Sequence, residues 1–295
     1  MRALLHPLGY PARFESEVAE PLRIAAESWR SRTCLFDVPP LSVTIHVQDG
    51  PVPEGPPQYR ALPEGFSLAC DRITRAEFSL SARAACLHVS SAALNRPEWF
   101  RHQLLECLVL TALDAVYFVG LHAACVVPPK GRGILLCGAS GSGKSTLAYA
   151  CARQRWTFVC DDSHLSPGPE NIVTGNTDKI RLREPARDLF PELAGEPTVT
   201  APNGKRCIEV DPAQLPRASA AAPARDCVFL SRRPGPATLG RYPEACAIEY
   251  FAGYNTRYNR DSMIQRLRDF VRGRTWLLEY ESLEGAMRAM ERLPS

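Results

Sequence analysis

The sequence lacks several patterns that would assign it to a common class of protein. Its 11 cysteines form no Cys-x-x-Cys pair, so neither a zinc ribbon nor a dithiol redox motif is expected. Several of them fall in apolar stretches, which predicts buried free thiols in a reducing compartment. The net charge is only +3 and no run of like charge stands out. We therefore expect no nucleic-acid partner.

Long hydrophobic runs are also missing. The most apolar segment, 104–127, is interrupted by Glu106, Asp114 and His122. It predicts a buried helix followed by a strand rather than a membrane span, which needs about 18 or more uncharged apolar residues. The first residues show no apolar core followed by a cleavage site, so no signal peptide is expected. These features predict a cytoplasmic protein with no membrane partner.

The 295 residues are enough for one large or two modest domains. The sequence predicts a β-rich region over residues 1–95. We assign substrate recognition to this region from its position alone. Its candidate strands are rich in β-branched residues or alternate in polarity, and they lie at 41–47, 66–70, 76–80 and 84–89. A helix is expected from residue 97 to about residue 118. We place the second domain at 96–295.

In the second domain, the sequence predicts a strand, a glycine-rich loop and a helix in that order. The expected strands lie at 121–127, 134–137, 157–160 and 227–230, and the expected helices at 145–153, 261–271 and 282–293. Residues 172–175 are interpreted as a turn at a strand end. The Ala- and Pro-rich stretch 215–223 is interpreted as a flexible surface loop.

The glycine-rich loop carries the most specific signal. It consists of Gly138, Ala139, Ser140, Gly141, Ser142, Gly143, Lys144, Ser145 and Thr146 and matches GxxxxGK[ST] in full. Glycines let successive N–H groups point inward at phosphate oxygens, and the following helix N-terminus favours an anion. Lys144 is expected to reach the β- and γ-phosphates, and the Ser145 hydroxyl to help hold Mg²⁺. The motif predicts nucleotide binding and does not identify the phosphoryl acceptor.

Two carboxylates follow the apolar strand 157–160. In a parallel sheet, the end of that strand lies on the same edge as the glycine loop, so Asp161 and Asp162 are expected near the phosphates. One can reach the Mg²⁺ shell and the other can accept a proton from an attacking hydroxyl. Adjacent residues face opposite ways on a strand, which favours a division of these roles. The same pair could instead form a turn and a helix cap.

The combination of a histidine, the loop and the aspartate pair resembles the catalytic domain of HPr kinase/phosphorylase. The matching residues are Leu121-His122-Ala123, Gly133 to Thr146, and Val159 to Asp162, with 17 residues from Lys144 to Asp161. The resemblance covers about residues 119–165, a sixth of the chain. It implies an α/β fold with a P-loop domain akin to HPr kinase and phosphoenolpyruvate carboxykinase, preceded by the β-rich N-terminal region.

The resemblance also implies an activity and residue roles. The activity is ATP-dependent phosphorylation of a serine hydroxyl in a protein or peptide, with ATP and Mg²⁺ required. Asp161 would be the base, Asp162 and Ser145 would support the metal, and His122 and Lys144 would lie near the transferring phosphoryl group. Family members are often oligomeric, so a homo-oligomer is compatible with the resemblance.

The chain departs from true HPr kinases at identifiable places. Thr146 stands where they carry Glu, and residues 177–184 replace their EIRGxGI-type segment. The likeness is closer to divergent relatives such as the lasso-peptide precursor kinases. Four basic residues either add positive charge near the phosphates or are solvated surface charges. They are Arg181, Arg183, Lys205 and Arg206.

Two other functions remain open from the sequence. The same site could serve a kinase of a small hydroxylated metabolite, such as free serine or a sugar. It could also belong to a non-catalytic ATP-binding regulator, although the retention of Lys144, Ser145, Asp161 and Asp162 argues against this. The absence of LSGGQ and NKxD motifs disfavours an ABC transporter and a GTPase.

Overall fold

The computed structural model describes residues 1–29, 32–165, 170–175, 179–201, 204–254 and 260–294. The chain is a mixed α/β protein, and it divides into two compact units, Met1–Phe118 and Val119–Ser295. None of the helices in these described ranges is long and apolar enough to cross a membrane.

The N-terminal unit contains one seven-stranded sheet. Its strands are β1 (Arg2–Leu5), β2 (Ala12–Ser16), β3 (Leu41–Gln48), β4 (Gln58–Leu62), β5 (Gly65–Ala69), β6 (Arg75–Ser79) and β7 (Ala84–Ser90). They lie in the order β1-β2-β3-β7-β6-β5-β4. The β2–β3 and β3–β7 pairs are parallel and the others are antiparallel. The four strands expected in this region are confirmed.

The same unit also contains helices, and two of them, at 19–29 and 91–94, were not expected from the sequence. They are α1 (Ala19–Trp29), α2 (Ser91–Leu94), α3 (Pro97–Trp99), a π-helical turn (Phe100–Leu105) and α4 (Glu106–Val116). The expected helix over 97–118 is therefore present but contains a wide turn. The π-helical turn packs on α1 and α4 packs on β3. The division between the units consequently falls after Phe118 rather than after residue 95.

The C-terminal unit has a nine-stranded and a three-stranded sheet. Its strands are β8 (Val119–Leu121), β9 (Ala123–Val127), β10 (Gly133–Cys137), β11 (Thr157–Cys160), β12 (Ser163–Leu165), β13 (Ile172–Gly175), β14 (Ile180–Leu182), β15 (Thr198–Thr200), β16 (Arg206–Val210), β17 (Ala221–Arg232), β18 (Thr238–Arg241) and β19 (Thr275–Tyr280). Its helices are α5 (Lys144–Arg153), α6 (Ala186–Leu189), α7 (Glu244–Tyr254), α8 (Arg260–Val271) and α9 (Leu283–Met290). Strands β14, β16 and β15 form the small sheet.

The large sheet is mixed, which corrects the expectation of a parallel sheet. Strand β10 is parallel to β17, and β17 is parallel to β19. Strand β9, however, runs antiparallel to both of its neighbours, β10 and β11. The turn at 128–132 allows this arrangement, because five residues can join adjacent antiparallel strands but not parallel ones.

Both faces of the large sheet are covered, which explains the continuous apolar run of β10. Ile134 and Leu136 lie in a core with α5, α9 and the small sheet. Leu135 and Cys137 lie in a second core with α7 and α8. All five residues of the strand are consequently buried, as expected for a strand between two layers.

Two segments differ from the sequence analysis. Residues 172–175 form the strand β13, which pairs with both β12 and β17, rather than a turn. Residues 221–223, part of the expected surface loop, begin the long strand β17. In both cases, pairing with neighbouring strands stabilises an extended conformation that the local sequence does not favour.

A polar cluster holds the helices of the N-terminal unit together. The carboxylate of Glu106 accepts hydrogen bonds from Ser28 Oγ at 2.9 Å, Arg101 Nε at 3.3 Å and His102 Nδ1 at 2.9 Å. The other imidazole nitrogen of His102 lies 3.1 Å from Glu98. Hydrogen bonding to Glu106 raises the pKa of His102. Burial alone would raise the pKa of Glu106, but its hydrogen bonds and the nearby positive charge lower it.

Replacement Glu106→Gln should lower the free energy of unfolding by about 1–3 kcal/mol, because it weakens a largely buried charged network. The depressed pKa of Glu106 means that its contribution is complete above about pH 4.5 and is lost as the pH falls through the folded-state pKa. The raised pKa of His102 means that its contribution is complete below about pH 6.5 and is lost as the pH rises through the folded-state pKa. Urea unfolding at several pH values should therefore show the largest difference from wild type between these limits.

The control for this experiment is Glu98→Gln. The Glu98 side chain is 73% exposed, so its removal should change stability by less than about 1 kcal/mol. Equal effects of the two substitutions at every pH would contradict the role given to Glu106.

Candidate active site

The pairing of β9 brings three chain segments together at one edge of the large sheet. Because β9 runs antiparallel to both β10 and β11, its beginning lies beside the ends of both neighbours. Cys137 at the end of β10 pairs with Ala123, and Cys160 at the end of β11 pairs with Cys125. The glycine loop, His122 and the aspartate pair follow or precede these positions directly. The edge that the sequence analysis predicted is therefore confirmed, although the sheet is not parallel.

A second pairing sets His122 against Asp162. Residue 122 interrupts the extended chain between β8 and β9, and residues 161 and 162 interrupt it between β11 and β12. Ser163 pairs with Leu121 in an antiparallel register. His122, which follows Leu121, therefore lies opposite Asp162, which precedes Ser163. His122 Nδ1 lies 3.5 Å from Asp162 Oδ1.

The glycine loop requires its glycines. Gly138, Gly141 and Gly143 have φ angles of 141°, 90° and 99°, which side-chain-bearing residues rarely adopt. A Cβ atom on Gly138 would lie 2.7 Å from Ser142 Oγ, and one on Gly143 would lie 2.9 Å from the Tyr280 hydroxyl. The loop leads into α5, whose first N–H groups have no partner within the helix. This geometry suits an anion.

Lys144 lies beneath the loop and is 9% exposed. Its Nζ donates hydrogen bonds to the carbonyl oxygens of Gly138 at 2.6 Å and Ala139 at 3.4 Å. The same atom lies 3.1 Å from His122 Nε2, and the other ring nitrogen, Nδ1, faces Asp162. Burial lowers the pKa of Lys144.

The two aspartates have different surroundings. Burial raises the pKa of Asp161 to about 6, even though the Ser145 hydroxyl and the Arg181 backbone N–H hydrogen-bond to its carboxylate. Its Oδ1 atom is buried without a hydrogen-bond partner. The side chain of Asp162 is 72% exposed, and its hydrogen bond with His122 lowers its pKa. Asp161 is thus the more basic carboxylate.

These groups line one cavity of about 270 Å³. The lining includes His122, six residues of the glycine loop and both aspartates, and a wall of basic residues formed by Lys179, Arg181, Arg183, Lys205 and Arg206. The four basic residues singled out in the sequence thus all face this cavity. Arg183 donates to Ser140 Oγ at 3.3 Å, whereas Arg181 and Arg206 form ion pairs with Glu209 and Glu184. Basic side chains outnumber acidic ones by six to two around the cavity, which favours an anionic ligand.

Sequence reasoning missed two residues that contact the loop. The Tyr250 hydroxyl, on α7, hydrogen-bonds to the backbone of Gly138 and of His122. The Tyr280 hydroxyl, at the end of β19, lies 3.5 Å from the carbonyl oxygen of Ser142. Both tyrosines are more than 100 residues from the loop along the chain, and no motif contains them.

Gly175 is required where β13 passes the aspartate pair. A Cβ atom there would lie 2.3 Å from the Asp162 carbonyl oxygen and 2.3 Å from Cys160 Cβ. We expect Gly175→Ala to destabilise the protein by about 1–3 kcal/mol through overpacking, measured by thermal unfolding. The matched control is Gly240→Ala, also within a strand, where a Cβ atom would meet nothing within 4 Å. A Gly175→Ala variant as stable as the control would show that this close approach is not tight.

The chain shows limited similarity to known proteins. No protein-family model matches the chain, and no curated protein matches it. Among solved structures, the chain is similar to the HPr(Ser) kinase/phosphatase from Coxiella burnetii, with 18% identity and a TM-score of 0.26. The match covers 38% of this chain and 65% of that protein. A TM-score this low does not establish a shared fold, so the HPr-kinase-like fold stays a prediction.

Proposed function

We propose that the protein is an ATP-dependent kinase that transfers the γ-phosphoryl group to a serine hydroxyl of a protein or peptide. The observation that supports this most directly is the cavity that the glycine loop, Lys144, His122 and Asp161 line together. A phosphate-binding loop alone would support only nucleotide binding. A basic carboxylate beside the loop adds a group that can accept a proton.

The loop and the start of α5 would bind the phosphates through backbone N–H groups. Lys144 would exchange its hydrogen bonds to Gly138 and Ala139 for bonds to phosphate oxygens, at little cost because one set of acceptors replaces another. Arg183, which already contacts the loop at Ser140, would add charge at the same place. Fixed positive charge of this kind stabilises the transferring phosphoryl group.

Asp161 would act as the base. The acceptor oxygen forms a bond to the γ-phosphorus, the bond from that phosphorus to the β–γ bridging oxygen breaks, and the hydroxyl proton passes to the Asp161 carboxylate. A pKa of about 6 leaves the group ionised at neutral pH yet more basic than an ordinary aspartate. His122, held between Lys144 and Asp162, would lie beside the phosphoryl group.

The residues present suit Mg²⁺. A hydroxyl on Ser145 and a carboxylate on Asp162 are hard oxygen ligands of the type that this ion prefers. Among the described residues, no group of three or more His, Cys, Asp or Glu side chains is arranged to hold a metal, so phosphate oxygens and water would complete the coordination. When bound, the ion would neutralise charge on the phosphates.

We also propose a cellular setting for the protein, which its cysteines support. All eleven are free thiols, which supports the proposal that the protein acts in the cytoplasm.

The first test is transfer of label from [γ-³²P]ATP in the presence of Mg²⁺ to peptides and proteins encoded near the gene. We expect label on a serine, and we expect Lys144→Ala to lower the rate by several orders of magnitude because it removes the buried ammonium. Lys130→Ala, which changes an exposed lysine outside the cavity, should retain the wild-type rate. Label on a small metabolite alone would replace the peptide acceptor with a metabolite, and tight ATP binding without transfer would indicate a regulator.

Substitution of each aspartate should separate their roles. Asp161→Asn should abolish transfer while ATP binding, measured by calorimetry, is retained, because the amide cannot accept the proton. Asp162→Asn should retain transfer but require a higher Mg²⁺ concentration, because a neutral amide is a weaker ligand. Wild-type transfer by Asp161→Asn would rule out its role as the base.

A further inference from the structure

The hydroxyl of Tyr250 makes three contacts that no motif predicts. It accepts a hydrogen bond from the Gly138 N–H at 3.0 Å. It also lies 2.7 Å from the carbonyl oxygen of His122 and 2.8 Å from that of Gly138. One side chain on α7 therefore joins the first residue of the glycine loop to the backbone of the histidine at the start of β9.

Packing fixes the ring of Tyr250 independently of these bonds. Its ring packs edge-on against Phe229, with centroids 5.3 Å apart, and against Phe251, with centroids 5.4 Å apart. Phe251 is fully buried and Phe229 nearly so. The hydroxyl is thus a fixed point to which two backbone segments are hydrogen-bonded, and removal of the oxygen alone should leave the ring in place.

The hydroxyl has one proton for two carbonyl oxygens. In this structure the Gly138 carbonyl already accepts a hydrogen bond from Lys144 Nζ at 2.6 Å, so the Tyr250 proton is available to the His122 carbonyl. When Lys144 turns to a phosphate, the Gly138 carbonyl loses that donor. Tyr250 can then turn its O–H to the part-buried Gly138 carbonyl by rotation about one bond, in exchange for its bond to the His122 carbonyl.

We propose that Tyr250 is a positioning residue of the site, which holds the glycine loop at a fixed distance from His122 and satisfies the Gly138 carbonyl when Lys144 engages the nucleotide. This role rests on the proposed kinase function. Tyr250 does not touch the reacting atoms in this arrangement. It acts through the loop backbone and through the main chain of His122.

The test compares Tyr250→Phe with Tyr242→Phe. Tyr242 stacks on the same Phe229 ring at 4.0 Å, and its hydroxyl makes no hydrogen bond to any part of the chain that the structure describes. Both variants lose one oxygen atom beside the same ring, so they differ in the contacts to the loop. The measurements are thermal unfolding, the Kd for ATP, kcat for transfer, and hydrogen exchange of the peptide that contains Gly138.

For Tyr250→Phe we expect faster exchange at Gly138, a Kd for ATP raised by about 2- to 10-fold and a kcat lowered by about 10- to 100-fold. Tyr242→Phe should match wild type in all three. Wild-type kcat and Kd in Tyr250→Phe, or equal losses in both variants, would overturn the proposal.

Failure of the kinase proposal is distinguishable from failure of this one. If wild type transfers phosphate, Lys144→Ala does not, and Tyr250→Phe equals wild type, then the kinase function stands and the role of Tyr250 falls. If wild type neither binds ATP nor transfers phosphate, both proposals fall, whatever the exchange at Gly138 shows.

Discussion

Strand β9 runs antiparallel to both β10 and β11, and the whole candidate site depends on that arrangement. Two antiparallel pairings in succession make the outer strands parallel to each other, so the ends of β10 and β11 reach the same edge. The start of β9 lies between them. A loop, a histidine and a carboxylate pair from three places in the sequence thereby meet without any long connection.

The pairing of β8 with β12 sets the positions of His122 and the two aspartates. Strands β8 and β12 pair next to the break at His122 and the break at Asp161–Asp162, so the two chains bend at the same level. Gly175 allows β13 to pass close to this bend. The bend turns one carboxylate into a buried position and leaves the other exposed beside the imidazole, which is why the two neighbouring aspartates differ in pKa.

The basic side chains that line the cavity outnumber the acidic ones. Lys144 is buried and held by loop carbonyl oxygens, and the small sheet adds a wall of basic side chains, two of which are paired with glutamates. Clustered positive charge of this kind is unfavourable by itself. A bound anion would relieve that repulsion, so the arrangement of charges favours an anionic ligand.

The sequence by itself determined the local features of this protein. The glycines, Lys144 and the helix that follows them form a contiguous motif whose geometry is set within about ten residues, and the strand before Asp161 is identified by its own apolar run. Only the tertiary structure decided that the sheet is mixed, that α1 and α4 belong to the first unit, and that Tyr250 contacts the loop. These depend on pairings between distant segments, whose energy comes from shared burial and backbone hydrogen bonds that no local pattern encodes.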